Sequence, residues 1–313
     1  MRLAVLAGGR SAEREVSLSS GGQVKAALES RGHEVEMVDM DLQAWERLRD
    51  GGFDCVFIAL HGRLGEDGTV QGMLELLDLP YTASGVLASA LCIDKTRSNA
   101  LLVAEDLRVP EYEELDLGDG VPPGVPDRLV ETYGLPLAVK PVREGSTIGY
   151  SKATNVDEVA SGLVKAGQYD RRVLVQRFVT GVEITVGVLA TPEVQVLPTL
   201  EITYENPDYD YDAKYTKGKS HHIIPARISE AAREAAAEAA ERAFLTLGCE
   251  GMARVDMIVD GDTPWILEVN TVPGLTSLSL LPDAARAAGI EFDEVCDRLV
   301  RHGVERRRRK VGP

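Results

Sequence analysis

Alternation with a period of two is the strongest pattern in this chain, and it is clearest between residues 251 and 279. Met252 to Val259 alternates and is rich in Val, Ile and Met. Asp260-Gly261-Asp262 has the chemistry of a turn, and Trp265 to Val269 returns as a second strand. Strand side chains point to opposite faces in turn, so Arg254 and Asp256 share a face, as do Glu268 and Asn270 on the returning strand. A turn centred near Asp262 sets Asp256 across from Glu268 and Arg254 across from Asn270.

The same patterning predicts elements along the rest of the chain. Leu3 to Ala7 reads as a buried strand, Val16 to Ser30 as a helix and Glu34 to Met40 as a second strand, a β-α-β opening. Phe53 to Leu60 is another buried strand, followed by a helix over Val70 to Leu77 and a short strand over Leu79 to Thr82. Helices over Val86 to Ile93 and Thr96 to Glu105 come next, then a Pro/Gly-rich linker over Gly118 to Pro126. Strands are expected over Leu137 to Lys140, Arg172 to Val179, Val182 to Ala190 and Val194 to Thr203, with an amphipathic helix over Asn155 to Gln168. Tyr204 to Ser220 is polar, tyrosine-rich and without period, and reads as a long mobile loop. Ser229 to Leu247 is a helix stopped by Gly248, and Asp283 to Ala288 and Asp293 to Arg301 are closing helices. The basic run Arg306 to Lys310 reads as a solvated, disordered end.

At 313 residues with 44% hydrophobic composition, the chain is expected to form two or three domains with real cores. The expected divisions are 1–94, 95–180 and 181–313. A net charge of -16 argues against a general nucleic-acid or anionic-membrane binder, so any phosphate site must be a local basic pocket. No run approaches the roughly 20 apolar residues a membrane span requires, and Leu3 to Ala7 is too short for a signal peptide. Four cysteines, far apart and without a Cys-x-x-Cys, read as buried free thiols in a reducing compartment, hence a cytoplasmic setting.

Several stretches carry candidate chemistry. In the hairpin, Asp256, Glu268 and Asn270 offer hard oxygens beside Arg254, which suits Mg²⁺ shared with phosphates rather than Zn²⁺; a half-exposed hairpin with acids on its wet face is the plainer alternative. Asn270 also runs into a loop bearing Gly274. Ligands of open α/β sheets gather beyond the carboxyl ends of strands, which marks Glu13 and His61; a carboxylate favoured at a helix N-terminus and a satisfied loop histidine are the plainer alternatives. Lys140 ends a strand before the loop Arg143 to Gly149, a pattern that suits a flap over phosphates but equally a plain hairpin turn. There is neither a G-x-G-x-x-G fingerprint nor a P-loop.

Taken together, the ordered set His61-Gly62-Arg63, Glu66-Asp67-Gly68, Gly85 to Ala90, Asp94-Lys95, Lys140-Pro141, Glu144-Gly145-Ser146, Ala213-Lys214-Tyr215, Gly251 to Asp256 and Glu268 to Gly274 resembles the D-alanine–D-alanine ligases of the ATP-grasp superfamily, up to about residue 302. The resemblance implies a mixed α/β (α+β) ATP-grasp fold with an N-terminal Rossmann-like α/β domain. It implies an ATP-dependent enzyme forming D-alanyl-D-alanine through a D-alanyl phosphate for peptidoglycan, using ATP and two Mg²⁺ (or Mn²⁺) ions, as a homodimer.

Carried over residue by residue, Lys95 and Lys140 contact the α- and β-phosphates, Ser146 and Thr147 lie in the flap, and Gln176, Arg177, Phe178 and Val179 hold adenine. Glu183 takes the ribose, and Lys214 reaches the γ-phosphate from a lid over 204–220. Asp256, Glu268 and Asn270 bind metal. Glu13, Ser146 and Tyr215 hold the first D-alanine near His61, Arg254 and the backbone of Gly274 face the oxyanion, and Ser279 and Leu280 bind the second substrate. Gln176 departs from the family's frequent Glu, and Thr147 from a frequent Ser. Relatives that join D-alanine to D-lactate or D-serine, and a non-catalytic nucleotide binder, are the alternatives; Tyr215 and Leu280 favour D-alanine.

Overall fold

The computed structural model describes residues 1–11, 13–204, 220–276 and 279–311. The opening layer is parallel and helix-covered. Strands β1 (Arg2–Ala7), β2 (Glu34–Asp39) and β3 (Cys55–Ile58) form a sheet in the order β2-β1-β3, with α1 (Arg14–Ser30), α2 (Ala44–Asp50) and α3 (Thr69–Leu76) between or after them. β1 and β3 are buried along nearly their whole length, which is why they read as continuous apolar runs. The strand expected over Leu79 to Thr82 shrinks to one parallel bridge, Val56 to Tyr81.

Two short helices, α4 (Val86–Ile93) and α5 (Lys95–Ala104), meet at Asp94, whose carboxylate caps α5 by accepting the Arg97 amide. Beyond them lies an antiparallel sheet in the order β4-β7-β5-β6, made of β4 (Tyr112–Asp116), β5 (Leu137–Pro141), β6 (Ser151–Ala153) and β7 (Arg172–Arg177). One face of it packs on α6 (Val125–Tyr133) and α7 (Val156–Gly167), through Leu137, Val139, Val173 and Val175 against Leu129, Val159 and Leu163. The expected linker therefore ends in a helix, started by Pro126 in its first turn, where a missing N–H costs nothing.

The third sheet is antiparallel, β11-β10-β8-β12-β13, with β9 also paired to β8. Its strands are β8 (Val182–Ala190), β9 (Val194–Val196), β10 (Leu200–Tyr204), β11 (Ser220–Ile223), β12 (Gly251–Asp260) and β13 (Thr263–Asn270). The strand expected over Val194 to Thr203 is two, β9 and β10. The alanine-rich α8 (Glu230–Thr246), capped by Ser229, lays Ala232, Ala236, Ala240 and Ala243 on the sheet at four- and three-residue spacing. α9 (Leu280–Ala287) and α10 (Phe292–Val311) return to the first sheet, where Leu281, Val295 and Leu299 join its core.

The basic run is thus not a disordered end but the last turns of α10. Arg306 is buried, donates to the carbonyls of Ala83 at 2.6 Å and Tyr81 at 3.0 Å, and pairs with Glu250 at 2.9 Å. All four cysteines are buried and free, and burial pushes the Cys55 thiol up to about 12. Among the described residues no helix is long and apolar enough to cross a membrane.

Candidate active site

The hairpin β12–β13 supplies the centre. Arg254 pairs in register with Asn270 and Asp256 with Glu268, as the alternation predicts. Val255, Met257 and Val259 are buried, while Arg254 and Asp256 are half-buried on the other face. There Arg254 grips Asp256 with two hydrogen bonds of 2.8 Å, and Thr185 on β8 donates to the same carboxylate at 2.7 Å. Thr185 escaped the sequence reading, although its place two residues from Glu183 puts both on this face. Asn270 Oδ1 accepts the Val272 amide at 3.0 Å, which starts the following loop.

Lys95, buried at the N-terminus of α5, reaches into this centre. Its Nζ lies 3.2 Å from Glu268 and donates at 2.7 Å to the backbone carbonyl of Glu144 in the loop joining β5 to β6. Farther along that loop, Ser146 donates to the carboxylate of Glu13. Ser146 and Thr147 sit at φ 51 and 64, the left-handed region that side chains disfavour, so the loop holds an unusual conformation at the point of contact.

Glu13, at the start of α1, is buried next to His61 and Gly62, which follow β3. A Cβ on Gly62 would come 2.5 Å from Glu13 Oε2, and the Gly62 φ of +68 lies in the region that favours glycine. His61 is buried, with Nδ1 3.1 Å from the Val272 carbonyl and Nε2 3.1 Å from Ser20 Oγ. Glu66 lies 3.5 Å from the same imidazole. Burial alone would lower the His61 pKa, but the contact with Glu66 and the nearby Glu13 charge outweigh it and hold it above its ordinary value. Burial and the Glu13 charge push the Glu66 carboxyl up. The spacing His61-x-x-x-x-Glu66 was on view in the sequence, but no pattern there paired them.

The contacts close a ring: Glu13 to Ser146, their loop to Lys95, Lys95 to Glu268, the hairpin to Val272, and Val272 to His61 beside Glu13. Residues from all three sheets meet in it.

The remaining candidates flank the ring. Lys140, Leu174 and Gln176 occupy one face of their sheet, opposite the α6–α7 core, since Lys140 pairs with Leu174 and Ala138 with Gln176. Gln176 is 2% exposed and its Nε2 has no hydrogen-bond partner among the described residues, so a donor is left for a ligand. The Arg177 side chain is exposed on the other face, 4.0 Å from Glu111, and its amide donates to the Glu111 carbonyl at 2.9 Å. Lys152 sits 4.2 Å from the Phe178 ring, and Val179 is half-buried. Glu183 lies opposite Ile258, on the Asp256 face of its sheet. Ser279 Oγ accepts the Thr276 amide at 3.0 Å, and a Cβ on Gly274 would sit 2.8 Å from that oxygen. Leu280 opens α9, half-buried. Lys214 and Tyr215 lie outside the described residues.

Two carboxylates and an amide oxygen form a hard donor set that suits Mg²⁺ or Mn²⁺. Both carboxylates already face cationic side chains, Arg254 and Lys95, so the chain's own residues compensate their charge.

Comparisons with known proteins agree with this geometry. Residues 101–301 match the model of the D-ala D-ala ligase C-terminus, and residues 45–84 that of the D-ala D-ala ligase N-terminus. The chain is 48% identical over 306 residues to the D-alanine–D-alanine ligase of Desulforudis audaxviator, covering 97% of this chain and 99% of that one. With the ligase of Pelotomaculum thermopropionicum it shares 46% over 309 residues, 97% of each chain. The crystal structure of D-alanine–D-alanine ligase from Bacillus anthracis complexed with ATP is 30% identical, with a TM-score of 0.85 over 99% of each chain. The mixed α/β architecture is accordingly the ATP-grasp fold. The chain belongs to the D-alanine–D-alanine ligase family.

Proposed function

We infer that this chain joins two D-alanine molecules into D-alanyl-D-alanine, driven by ATP, through a D-alanyl phosphate, for peptidoglycan precursor synthesis. The ring of contacts that brings Glu13, Ser146, Lys95, Glu268 and His61 together carries the reading: it sets an anionic pocket for an ammonium group against a cationic and oxygen-rich pocket for phosphates.

Lys95 and Lys140 face the phosphates, with the strand Gln176 to Val179 along the base and Glu183 on the ribose. Asp256, Glu268 and Asn270 would hold two Mg²⁺ or Mn²⁺ ions, which when bound neutralise phosphate charge. Glu13, held by Ser146, takes the ammonium of the first D-alanine and so aims its carboxylate at the γ-phosphate; such positioning is most of what phosphoryl transfer asks of a protein. The amine of the second D-alanine, its carboxylate on Ser279 beside Leu280, then attacks the acyl carbon; the C–O bond to phosphate breaks, inorganic phosphate leaves, and the nitrogen loses a proton as the amide forms. Arg254 and the Gly274 N–H face the oxyanion that develops. By the family resemblance alone, Lys214 would serve the γ-phosphate and Tyr215 the first D-alanine; both lie outside the described residues. A cytoplasmic setting is supported by four free thiols, and a homodimer by the family resemblance alone; sedimentation would test the latter.

The test is phosphate release with ATP and Mg²⁺ in the presence of D-alanine, L-alanine, D-serine, or D-alanine plus D-lactate. Release that depends on D-alanine, with the dipeptide as product, supports the reading. Release only with D-serine or D-lactate present would reassign the second substrate, and nucleotide binding without release would remove the ligase reading.

A further inference from the structure

The ring described above leaves a question of register. Lys95 stands on α5, whereas Lys140 and the flap belong to the sheet β4-β7-β5-β6. Something must fix the first against the second. The geometry points to Arg172 as a positioning residue that clamps the Asp94–Thr96 turn, and through it Lys95, to the sheet carrying Lys140. This rests on the reading of Lys95 and Lys140 as phosphate-facing residues.

Arg172 opens β7 on the same face as Leu174 and Gln176. Its guanidinium spends its hydrogen bonds inside the protein. Nε donates to Glu114 at 2.7 Å and Nη2 to the other oxygen of that carboxylate at 2.6 Å. Nη1 donates to Asp94, and Nη2 also reaches Asp94 at 3.2 Å and the Thr96 hydroxyl at 2.8 Å. Thr96 in turn donates to Asp94 at 2.9 Å. One planar fork thus joins a residue of β4 to the two residues that flank Lys95. Lysine, a point charge, cannot span both carboxylates in this way.

The clamp continues to the flap. The Arg172 amide donates to Asp170 at 3.1 Å, and Asp170 takes the Arg143 guanidinium at 3.0 and 3.2 Å. The Val142 amide donates to the Arg172 carbonyl at 3.0 Å, and the Val142 carbonyl accepts the Lys95 amide at 3.3 Å. Arg143 and Val142 are the base of the flap whose Glu144 carbonyl holds Lys95 Nζ. The backbone of Arg172 thus ties the base of the flap, while its guanidinium ties the turn that carries Lys95. Burial would raise the Asp94 carboxyl, but the bonds from Arg172 and Thr96 outweigh it and keep it ionised. Asp94, Lys95 and Thr96 are all at least nine-tenths buried, while Arg172 and Glu114 are half-buried at the outer end of the clamp.

The test is a double-mutant cycle on the full chain, Arg172→Lys against Lys95→Met, with KM for ATP and for D-alanine, ATP affinity by calorimetry, and Tm. In an active wild type, Arg172→Lys should raise KM and Kd for ATP by about tenfold with KM for D-alanine unchanged. In the Lys95→Met background the same substitution should add less than about twofold. An effect that adds in full on Lys95→Met, or that falls equally on both substrates, overturns the inference, as does unchanged ATP affinity. Loss of Tm alone, with ATP affinity intact, also overturns it, because a merely structural clamp would act there. A wild type that releases no phosphate with D-alanine condemns the functional reading instead, while the calorimetric arm still reports on the clamp.

Discussion

Asp256 and Glu268 face each other across β12 and β13 because one residue is left over between them and the turn. Asp260 pairs with Thr263, which centres the turn between Gly261 and Asp262, and the ladder runs regularly to Met257 opposite Ile266. The next pair is Asp256 with Glu268, so Leu267 is a bulge. Without it Asp256 would oppose Leu267, and Glu268 and Asn270 would turn toward the core, since a slip of one residue exchanges the faces of a strand.

Deleting Leu267 removes the extra residue itself, so Glu268 follows Ile266 directly and still falls opposite Asp256, now in a regular ladder. The expected result is that Mg²⁺-dependent ATP binding by calorimetry stays within a few-fold of wild type, because Glu268 and Asn270 keep the face of Asp256. Loss of that binding at unchanged Tm would mean that the bulge itself, and not only the register, shapes the site.

Arg254→Ala should lower turnover by about 10²- to 10³-fold, the usual cost of one oxyanion donor. Its second effect is on Asp256, which keeps the Thr185 hydrogen bond but loses its cationic partner. With that charge uncompensated, the metal site becomes more anionic, so ATP·Mg²⁺ should still bind within a few-fold of wild type. Kinetics and calorimetry on the same preparation separate the two effects; unchanged turnover would sink the assignment of Arg254.

The hairpin shows how far the sequence carries. The pairings Asp256–Glu268 and Arg254–Asn270 follow from alternation and an odd turn, but the expected turn position was one-half residue off and the bulge made up the difference. A bulge leaves no composition signal in Leu267. Glu13 and His61 are marked by their places after strands and Lys95 by the family resemblance, and the ring joins them. Their partners Glu66, Thr185 and Arg172 were not legible, because each is chosen by a contact between segments far apart in the chain. The basic run after residue 305 misled for a related reason: charge density says solvated, and only the carbonyls of Tyr81 and Ala83 explain why Arg306 is inside.

A pH effect follows from His61. Its folded pKa is raised above the ordinary value of 6.5, burial being outweighed by Glu66 and Glu13. A raised folded value contributes stability that is complete below the unfolded pKa and is lost as pH rises through the folded one. The wild type should therefore lose Tm as pH rises from about 6 through that elevated value, beyond the loss seen in His61→Gln. Parallel Tm profiles for the two proteins across this range would show that the imidazole is neutral throughout.

Arg306 gives the last prediction, one of stability rather than chemistry. Its side chain is 8% exposed, and it satisfies two backbone carbonyls and Glu250, whose own side chain is 37% exposed. Its guanidinium also lies 4.3 Å from the Tyr81 ring. Arg306→Met keeps most of the apolar stem but leaves the carbonyls of Ala83 and Tyr81 without this donor. Because Glu250 can turn to water, the cost should fall below that of a fully buried pair, at about 2–4 kcal/mol. For a chain of this size that is a Tm loss of roughly 3–6 °C. Turnover well below the transition should be unaffected, because no contact of Arg306 reaches the ring of Glu13, Lys95 and Glu268. Calorimetry and a steady-state assay on Arg306→Met measure both halves. An unchanged Tm would return the basic run to the status of a solvated end, and a loss of turnover at full stability would tie α10 to the site.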